Sequence, residues 1–433
     1  MGLNNQVATI FNCTKFVIHS NTNGKTVEVN RGFVNLHYYE SILENYVKAT
    51  SIIADTGYTI QKDNKLVSLI EGLDLCGAEK VELHLEDGYG NKLRFSDEKC
   101  LYINKIYNRM EHTQSMVFVI DLVSKEFFTN ELVETRVDKR FNGKISSSVN
   151  DILKNVLKTE KPLEIELTEN EYSFNGHTEK PFYKCTWLGK RSIPEGGTEN
   201  SAGFFFFETH DGFKFRSIEK LLDERRGYKT YIYTNTTELP VGYDGKILEA
   251  IPSININVQQ KLMIGAYGSQ VRTFDFFQNK YEEKEVIPNK EGKTGVNLAG
   301  KNLPNLSSDL SGKPTRVIGK LQPYGIAQPT GKETSKKKDY NINEITAQAA
   351  IRYNQLFTYI LTITIAGDFS HRAGNLIYCD FPELSADQTM NISSKNSGLY
   401  MIANVTQFID PRENAFTQLT LVRDSYGRKP FKR

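Results

Sequence analysis

The sequence is poor in the residues that mark several large classes of protein. Its 433 residues include one tryptophan and five cysteines, and no two cysteines have the C-x-x-C spacing of a zinc site or a redox pair. We therefore expect no metal and no cofactor, and the thiols should be free in a reducing cytoplasm. The cysteines are Cys13, Cys76, Cys100, Cys185 and Cys379.

Long apolar runs are also missing. No stretch of about 18 apolar residues occurs, so we expect no membrane span. The first residues, Met1–Asn5, have neither the basic nor the apolar part of a secretory signal, which predicts a protein made and folded in the cytoplasm.

The chain has almost no charge excess. Its 54 basic and 52 acidic residues give a formal net charge of +2, whereas nucleic-acid binders usually carry a basic excess or a basic stripe. The one dense basic run, Lys336–Lys338, is best interpreted as a solvated loop.

Recognisable catalytic motifs are absent. The seven histidines show no H-E-x-x-H or H-x-H spacing, and the sequence has no G-x-S-x-G, phosphate-binding loop or G-x-G-x-x-G. Paired carboxylates that are distant in sequence stay open as a glycoside-cleaving site. The pattern favours a structural or binding protein that is not an enzyme.

The residues that are plentiful favour strands. The chain has 25 phenylalanines and 22 tyrosines, and β-branched residues alternate with polar ones near both ends. Val81–Leu85, an Asp-Gly turn and Lys92–Phe95 predict a hairpin. We predict a mainly β fold with some α (α+β).

Two segments predict helices, and two others give no clear periodicity. An i, i+3, i+4, i+7 apolar stripe predicts a helix over residues 147–158, and a second helix is expected from Asn343 to Leu356. Leu248–Gly268 fits neither period. Residues 286–340, rich in Gly, Pro and Lys, predict a long loop insertion.

The chain contains an internal echo. Leu101–Ser124 and Leu399–Ser425 each begin with Leu-Tyr, run as a strand, turn, and return by alternation. Aligned with a three-residue gap, Met116, Phe118 and Ile120 match Thr417, Leu419 and Leu421. The echo is either a duplicated β module or a coincidence between two ordinary hairpins.

An aromatic block stands in the middle of the chain. A Trp-led segment leads to a run of four phenylalanines, then a Glu-Thr turn and an aromatic strand. This block, with segments 32–57 and 398–429, resembles a signature of the baseplate central hub proteins of contractile-tailed bacteriophages. The signature residues, expected to be structural or to lie at an interface, are Trp187, Phe204, Phe205, Phe206, Phe207, Phe213, Phe215 and Arg216.

The resemblance implies a particular architecture. Hub proteins, and the related amino-terminal part of type VI secretion spike proteins, carry two related β-barrel tube domains per chain. The implied ranges are a first tube domain at 1–127, a middle α+β domain at 128–228, the start of the second tube domain with a connecting helix at 229–285, the loop insertion at 286–340, and a helix with the rest of the second tube domain at 341–433.

The resemblance also implies a function. Three chains would form a pseudo-six-fold ring in the virion tail baseplate, assembled in the host cytoplasm and joining the hexameric tail tube to the trimeric spike. Implied partners are further copies of the chain, the tail tube protein and a central spike protein that is a separate polypeptide. The tape measure and baseplate wedge proteins are further candidates, and DNA would pass through the lumen.

Two other functions remain open. Clustered aromatic residues would also suit a tail receptor-binding or carbohydrate-binding protein. A tail-associated peptidoglycan hydrolase is the third reading, because baseplate centres can carry wall-degrading activity.

Overall fold

The computed structural model describes residues 10–429 except for 58–59, 63, 114, 198–200, 237, 255–256, 276–278, 288–296, 304–305, 308, 311, 322–341, 384–390 and 412–413. The protein is mainly β with a smaller share of helix, as predicted.

The amino-terminal part is built from strands that alternate buried and half-buried side chains, the pattern of a sheet with one face on a core. One short helix, α1 (Leu69–Leu73), interrupts them. The strands are β1 (Phe11–His19), β2 (Thr26–Glu28), β3 (Phe33–Ser41), β4 (Lys48–Asp55), β5 (Ile60–Lys62), β6 (Lys65–Val67), β7 (Lys80–Asp87), β8 (Lys92–Phe95), β9 (Leu101–His112) and β10 (Ser115–Ser124).

The middle part mixes short helices and strands. Its helices are α2 (Lys125–Thr129), α3 (Ile145–Asp151), which continues as a π-helical turn (Ile152–Val156), α4 (Pro181–Gly189) and α5 (Ile218–Leu221). Its strands are β11 (Arg140–Phe141), β12 (Leu163–Ile165), β13 (Phe174–Asn175), β14 (Phe204–Thr209) and β15 (Gly212–Ser217), and single 3₁₀ turns lie at Asp97–Lys99, Val133–Thr135 and Glu224–Arg226.

The carboxy-terminal part returns to strands. They are β16 (Lys229–Tyr233), β17 (Gly245–Ile254), β18 (Ser269–Asp275), β19 (Lys280–Val286), β20 (Arg316–Leu321), β21 (Tyr359–Ala366), β22 (Leu376–Asp380), β23 (Gly398–Asp410) and β24 (Asn414–Arg423). Helices α6 (Val258–Met263) and α7 (Ile342–Leu356) lie between them, and β18–β20 form a separate small sheet.

Two sets of six strands share one spatial order. We call β1, β3, β4, β7, β9 and β10 the first module, and β16, β17, β21, β22, β23 and β24 the second module. Numbered from one to six along the chain, the strands of each module pair in the spatial order 1-4-5-6-3-2. In the second module β16 also pairs with β17, which closes a six-stranded barrel. The echo is therefore a duplicated module.

The register supports the duplication at single residues. Near its start, the first strand of each last hairpin carries an extra residue, Asn104 opposite the Asp121–Leu122 step and Ala403 opposite the Thr420–Leu421 step. The second strand of each module also carries a bulge. In β3 of the first module it lies opposite Ile53, and in β17 of the second module it lies opposite the equivalent Ile365. Bulges are specific backbone features, so two at equivalent places indicate a shared plan.

The two modules also make equivalent backbone hydrogen bonds near the start of their fifth strands, β9 and β23. The amide of Ile103 donates to Glu79 O at 3.0 Å, and the amide of Ile402 donates to Asn375 O at 2.8 Å. The carbonyls of Ile103 and Ile402 accept from Ala78 N at 2.7 Å and Gly374 N at 2.8 Å, and these two donor residues have positive φ angles of 62° and 80°.

The residue matching derived from the sequence was wrong by two positions on the last strand. When the two last hairpins are matched by their hydrogen-bonding registers, Phe118, Ile120 and Leu122 are equivalent to Thr417, Leu419 and Leu421. The two hairpins then align without a net gap. A second bulge in β9 compensates for the shorter loop after it. A shift of two residues keeps every side chain on the same face, so alternation alone does not reveal it.

Other expectations had mixed outcomes. The first helix was confirmed but begins at Ile145 with Lys144 as its N-cap, without a serine cap. The second predicted helix is α7, and the ambiguous stretch divides into β17 and α6. Within residues 286–340, predicted as a loop insertion, Arg316–Leu321 forms a strand, while 288–296 and 322–340 lie outside the described residues. The domain boundaries stay a prediction.

Candidate assembly surfaces

The two modules join edge to edge through their backbones. Strand β3, second in the first module, pairs antiparallel with β23, fifth in the second module, from Leu36 opposite Ile409 to Ser41 opposite Asn404. Strand β23 is long enough for two neighbours on one edge, because β22 covers only its first residues, Gly398–Met401. The junction therefore merges both modules into one continuous sheet.

The corresponding edge of β9 is open. Strand β7 pairs with β9 only at Leu101 and Tyr102, and in the described part of the chain no strand pairs with that edge beyond Ile103. Two large apolar side chains of this half-strand are exposed, Tyr107 at 38% and Met110 at 63%. The segment of β9 equivalent to the paired half of β23 is thus left with free backbone groups.

The corresponding edge of β17 is open as well. Strand β16 covers β17 only from Gly245 to Ile247, and no other described strand pairs with that edge up to Ile254. Counted along the ladders, Leu36 and Ala250 occupy equivalent places, so this open segment matches the part of β3 that binds β23. Ile251 on it is 50% exposed, and Pro252 is typical of an edge strand.

A buried carboxylate secures the junction beside β3. Glu40 accepts hydrogen bonds from the Tyr38 hydroxyl at 2.9 Å, His210 N at 2.8 Å and Ala373 N at 2.9 Å. Arg372 lies 3.9 Å from Glu40 and 3.2 Å from Asp211. Burial disfavours the charge of Arg372, but the two carboxylates outweigh it and raise its pKa. Glu40 thus connects β3, the β14–β15 turn and the loop before β22.

A second buried cluster ties the first module to the middle part. Glu208 accepts from Val47 N at 3.0 Å and from the Ser124 hydroxyl at 2.7 Å, and it pairs with Lys161 at 2.5 Å. Lys161 also pairs with Glu126 at 2.7 Å. Burial raises the pKa of Glu208. For Lys161 burial acts against the charge, but the two carboxylates raise its pKa.

A third cluster joins the first module to the loop that follows β21. Asp87 accepts from Phe369 N at 2.7 Å, and Asn91 donates to Asp368 at 3.3 Å. His371 is buried, its Nε2 lies 2.9 Å from the Tyr231 hydroxyl and 3.5 Å from Asp368, and burial lowers its pKa to about 4. Burial opposes the charge of Asp368, but its charged and hydrogen-bonding neighbours lower its pKa to about 2. These contacts lock the relative position of the modules.

The aromatic signature lies inside the chain. Phe204, Phe206, Phe213 and Phe215 pack in the core of the middle part, while Phe205 and Phe207 face a second cluster with Leu376 and Met401. Trp187 is half-buried and stacks against the Arg191 guanidinium at 3.6 Å. Arg216 pairs with Glu164, and burial lowers its pKa to about 10. The open edges of β9 and β17 contain none of these residues.

The buried carboxylates Glu40 and Glu208 were not predicted as functional residues from the sequence. The sequence pattern around them nevertheless marks them as charges at core positions. Glu40 has the same strand parity as Leu36 and Tyr38, which predicts a charge at a core position. Glu208 follows a run of buried phenylalanines. A buried charge requires a partner, so such positions indicate junctions between elements.

The described residues contain neither a cluster suited to a metal ion nor a helix suited to a membrane. In the described ranges no group of three or more His, Cys, Asp or Glu side chains could hold a metal ion. Across the same residues, none of the helices combines the length and apolar character needed to span a bilayer.

Comparisons with known proteins identify the fold. No family model matches the chain. A 43 kDa tail protein of prophage MuSo2 from Shewanella oneidensis aligns over 95% of this chain and 99% of its own, with a TM-score of 0.54 and 9% identity. A tail protein from Neisseria meningitidis MC58 aligns over 95% and 97%, with a TM-score of 0.53 and 9% identity. The chain has the fold of phage tail proteins, as its resemblance predicted.

One sequence relative adds no function. An uncharacterized protein of Methanocaldococcus jannaschii is 25% identical in an alignment of 181 positions that covers 38% of this chain and 41% of that protein. The match therefore spans about two fifths of the relative's length.

Proposed function

We propose that this protein is a structural subunit of a phage tail baseplate hub, and that three copies form a pseudo-six-fold ring. The shared fold with tail proteins supports the tail role. The ring would join the hexameric tail tube to a trimeric spike and let DNA pass, with the tape measure and wedge proteins as further neighbours in the virion.

The observation that carries the ring is the pair of open edges. Inside the chain, strand two of one module binds strand five of the other. Among the described residues no strand covers the equivalent segments of strand five of the first module and strand two of the second. Pairing β17 of one copy with β9 of the next would repeat the internal junction between copies.

This pairing is head-to-tail, because each copy offers a different edge to each neighbour. Such contacts generate a ring when the rotation closes. With two modules per chain, three chains would place six modules around the axis, and internal junctions would alternate with junctions between chains. A trimer with six similar modules matches both a six-fold tube and a three-fold spike.

The ring can be tested by charging the open edges. Met110→Lys and Ile251→Lys place an ammonium group in the proposed contact, and each should shift the protein from trimer toward monomer in light scattering and in electron-microscopy ring views. Tyr89→Lys is the matched control, because Tyr89 is 64% exposed on the β7–β8 turn and belongs to neither open strand.

The alternatives give different results. If the wild-type chain stays monomeric, alone and with a tube or spike protein, the hub proposal is wrong. If both edge variants form rings as readily as the Tyr89→Lys control, the ring closes through some other surface and these strand edges do not form it.

A further inference from the structure

In the described part of the chain, one face of the joined sheet does not pack on a buried core. Seven strands run side by side across the module junction in the order β21-β24-β23-β3-β4-β10-β9. One face of them carries the buried apolar residues of both modules, such as the cross-strand partners Ile363 and Leu419 in the second module and Phe118 in the first. The opposite face carries side chains that stay half-buried or exposed.

Cross-strand partners trace this second face across the junction. Opposed residues share a face, and one row runs through Thr364, Gln418, Thr406, Tyr39 and Lys48. A parallel row runs through Phe416, Phe408, His37, Thr50, Asp121 and Lys105. The face therefore continues from one module to the other without interruption.

The face carries little charge. Along the described ladders of these seven strands its charged residues are Lys48, Lys105, Asp121 and Asp410, two of each sign, and the others are largely Thr, Asn, Gln, Ser, Tyr and aliphatic residues. The Asp121 carboxylate accepts from the Thr50 hydroxyl at 2.9 Å and the Tyr107 hydroxyl at 3.1 Å. Lys48 pairs with Glu44 at 2.8 Å. Burial lowers the pKa of His37, which is therefore neutral at pH 7.

The face ends at the two open edges. Strand β9 bounds it on one side, and β17 bounds it on the other, where Glu249 and Ile251 lie opposite Thr364 and Thr362. In a ring closed through these edges the face would continue from copy to copy as one wall.

We propose that this nearly uncharged polar face lines the passage of the ring and lets a nucleic acid slide through without retaining it. The inference rests on the proposed ring. Duplex DNA carries one negative charge per about 1.7 Å, and binding requires that these charges be neutralised by Lys or Arg. A wall with few, nearly balanced charges offers neither strong attraction nor strong repulsion.

The test adds positive charge to the wall. Thr362→Arg with Thr406→Arg places two cations per chain on the face, on β21 and β23. The control, Asn142→Arg with Gln259→Arg, adds the same charge at exposed positions elsewhere. Each ring is mixed with linear duplex DNA and with a covalently closed circle of the same sequence, at low and at high salt.

We expect the wild-type ring to retain neither DNA. The wall variant should bind the linear duplex at least about tenfold more tightly than the circle, because a circle cannot thread a closed ring, and salt should weaken this binding. The control variant should not distinguish the two.

Three results would overturn the inference. Equal binding of both DNAs by the wall variant, in a protein that still forms rings, would show that the face is not enclosed. Strong DNA retention by the wild-type ring would show that its wall is not neutral toward DNA. A wild-type protein that never forms rings would remove the proposed function and this inference together, and light scattering identifies that case separately.

Discussion

The two modules have the same strand order, but only the second closes into a barrel. In the second module β16 runs parallel to both β22 and β17 and bridges them. In the first module β1 runs antiparallel to β7 and pairs with β2 on its other side. The described part of the chain has no ladder between β1 and β3. One strand's direction thus separates a closed barrel from an open one.

Equivalent positions also serve different purposes. Ser124 ends β10 and donates to Glu208, whereas the equivalent residue of β24 is Arg423, which is fully buried, lies 4.7 Å from the Tyr400 ring and donates to Ser397 O at 3.2 Å. The first module is fastened to its neighbours by carboxylates, while the second encloses a cation. Equivalent backbone positions therefore accept a neutral serine in one module and a buried cation in the other, because their surroundings differ.

The largest expected effect comes from the carboxylate cluster that fastens the first module. Lys161→Met would leave Glu208 and Glu126 buried without their cation, and should lower the free energy of unfolding by about 3–5 kcal/mol in denaturant titration. Lys144→Met is the control, since its 2.6 Å pair with Glu195 lies at the surface, and should leave the free energy of unfolding nearly unchanged. Equal stabilities for the two variants would contradict the anchoring role.

The cores of the two modules can be compared directly. Ile120 and Leu419 occupy equivalent places and are both fully buried. Each substitution to Ala should cost about 2–5 kcal/mol, and Leu419→Ala should cost more, because a closed barrel relaxes less around a cavity. The free energy of unfolding of both variants measures this. A larger loss for Ile120→Ala would contradict the link between closure and rigidity.

Acid should weaken the packing of His371 against Tyr231 of the second module and Asp368 of its own loop. Between the ordinary pKa of 6.5 and the folded value of about 4, the unfolded chain binds a proton here that the folded chain does not. Stability should therefore fall by about 3 kcal/mol as the pH drops through this window. His371→Gln should flatten that part of the profile of unfolding free energy against pH. An unchanged slope in the variant would show that other groups set the acid sensitivity.

The smallest effect concerns the polar face. Thr50 and Thr362 are equivalent, but only for Thr50 does the structure give a side-chain hydrogen bond, the one to Asp121. Thr50→Val should cost about 1 kcal/mol of unfolding free energy, and Thr362→Val about 0.5 kcal/mol or less. Similar losses would mean that the hydroxyl bond to Asp121 contributes nothing measurable.

Much of the fold could be predicted from the sequence. Alternation in VELHL and the Asp-Gly turn predicted the β7–β8 hairpin, and an apolar stripe predicted the helix that begins at Ile145. The repeated hairpins indicated the duplication, but their Leu-Tyr starts were matched one position out of register, since the ladders make Tyr102 equivalent to Met401. The candidate assembly surfaces could not be predicted in the same way, because an open strand edge is defined by which neighbour is missing.

The sequence by itself determined which residues turn inward and that one hairpin occurs twice, since both follow from local periodicity. Only the tertiary structure decided the register of the duplication, the direction of β16 and the two open edges. Sliding a strand by two residues or reversing it preserves the same alternation, so these choices depend on long-range hydrogen bonds and bulges. The structural roles of the buried charged residues Glu40, Glu208 and Arg423 likewise depend on partners that are distant in sequence.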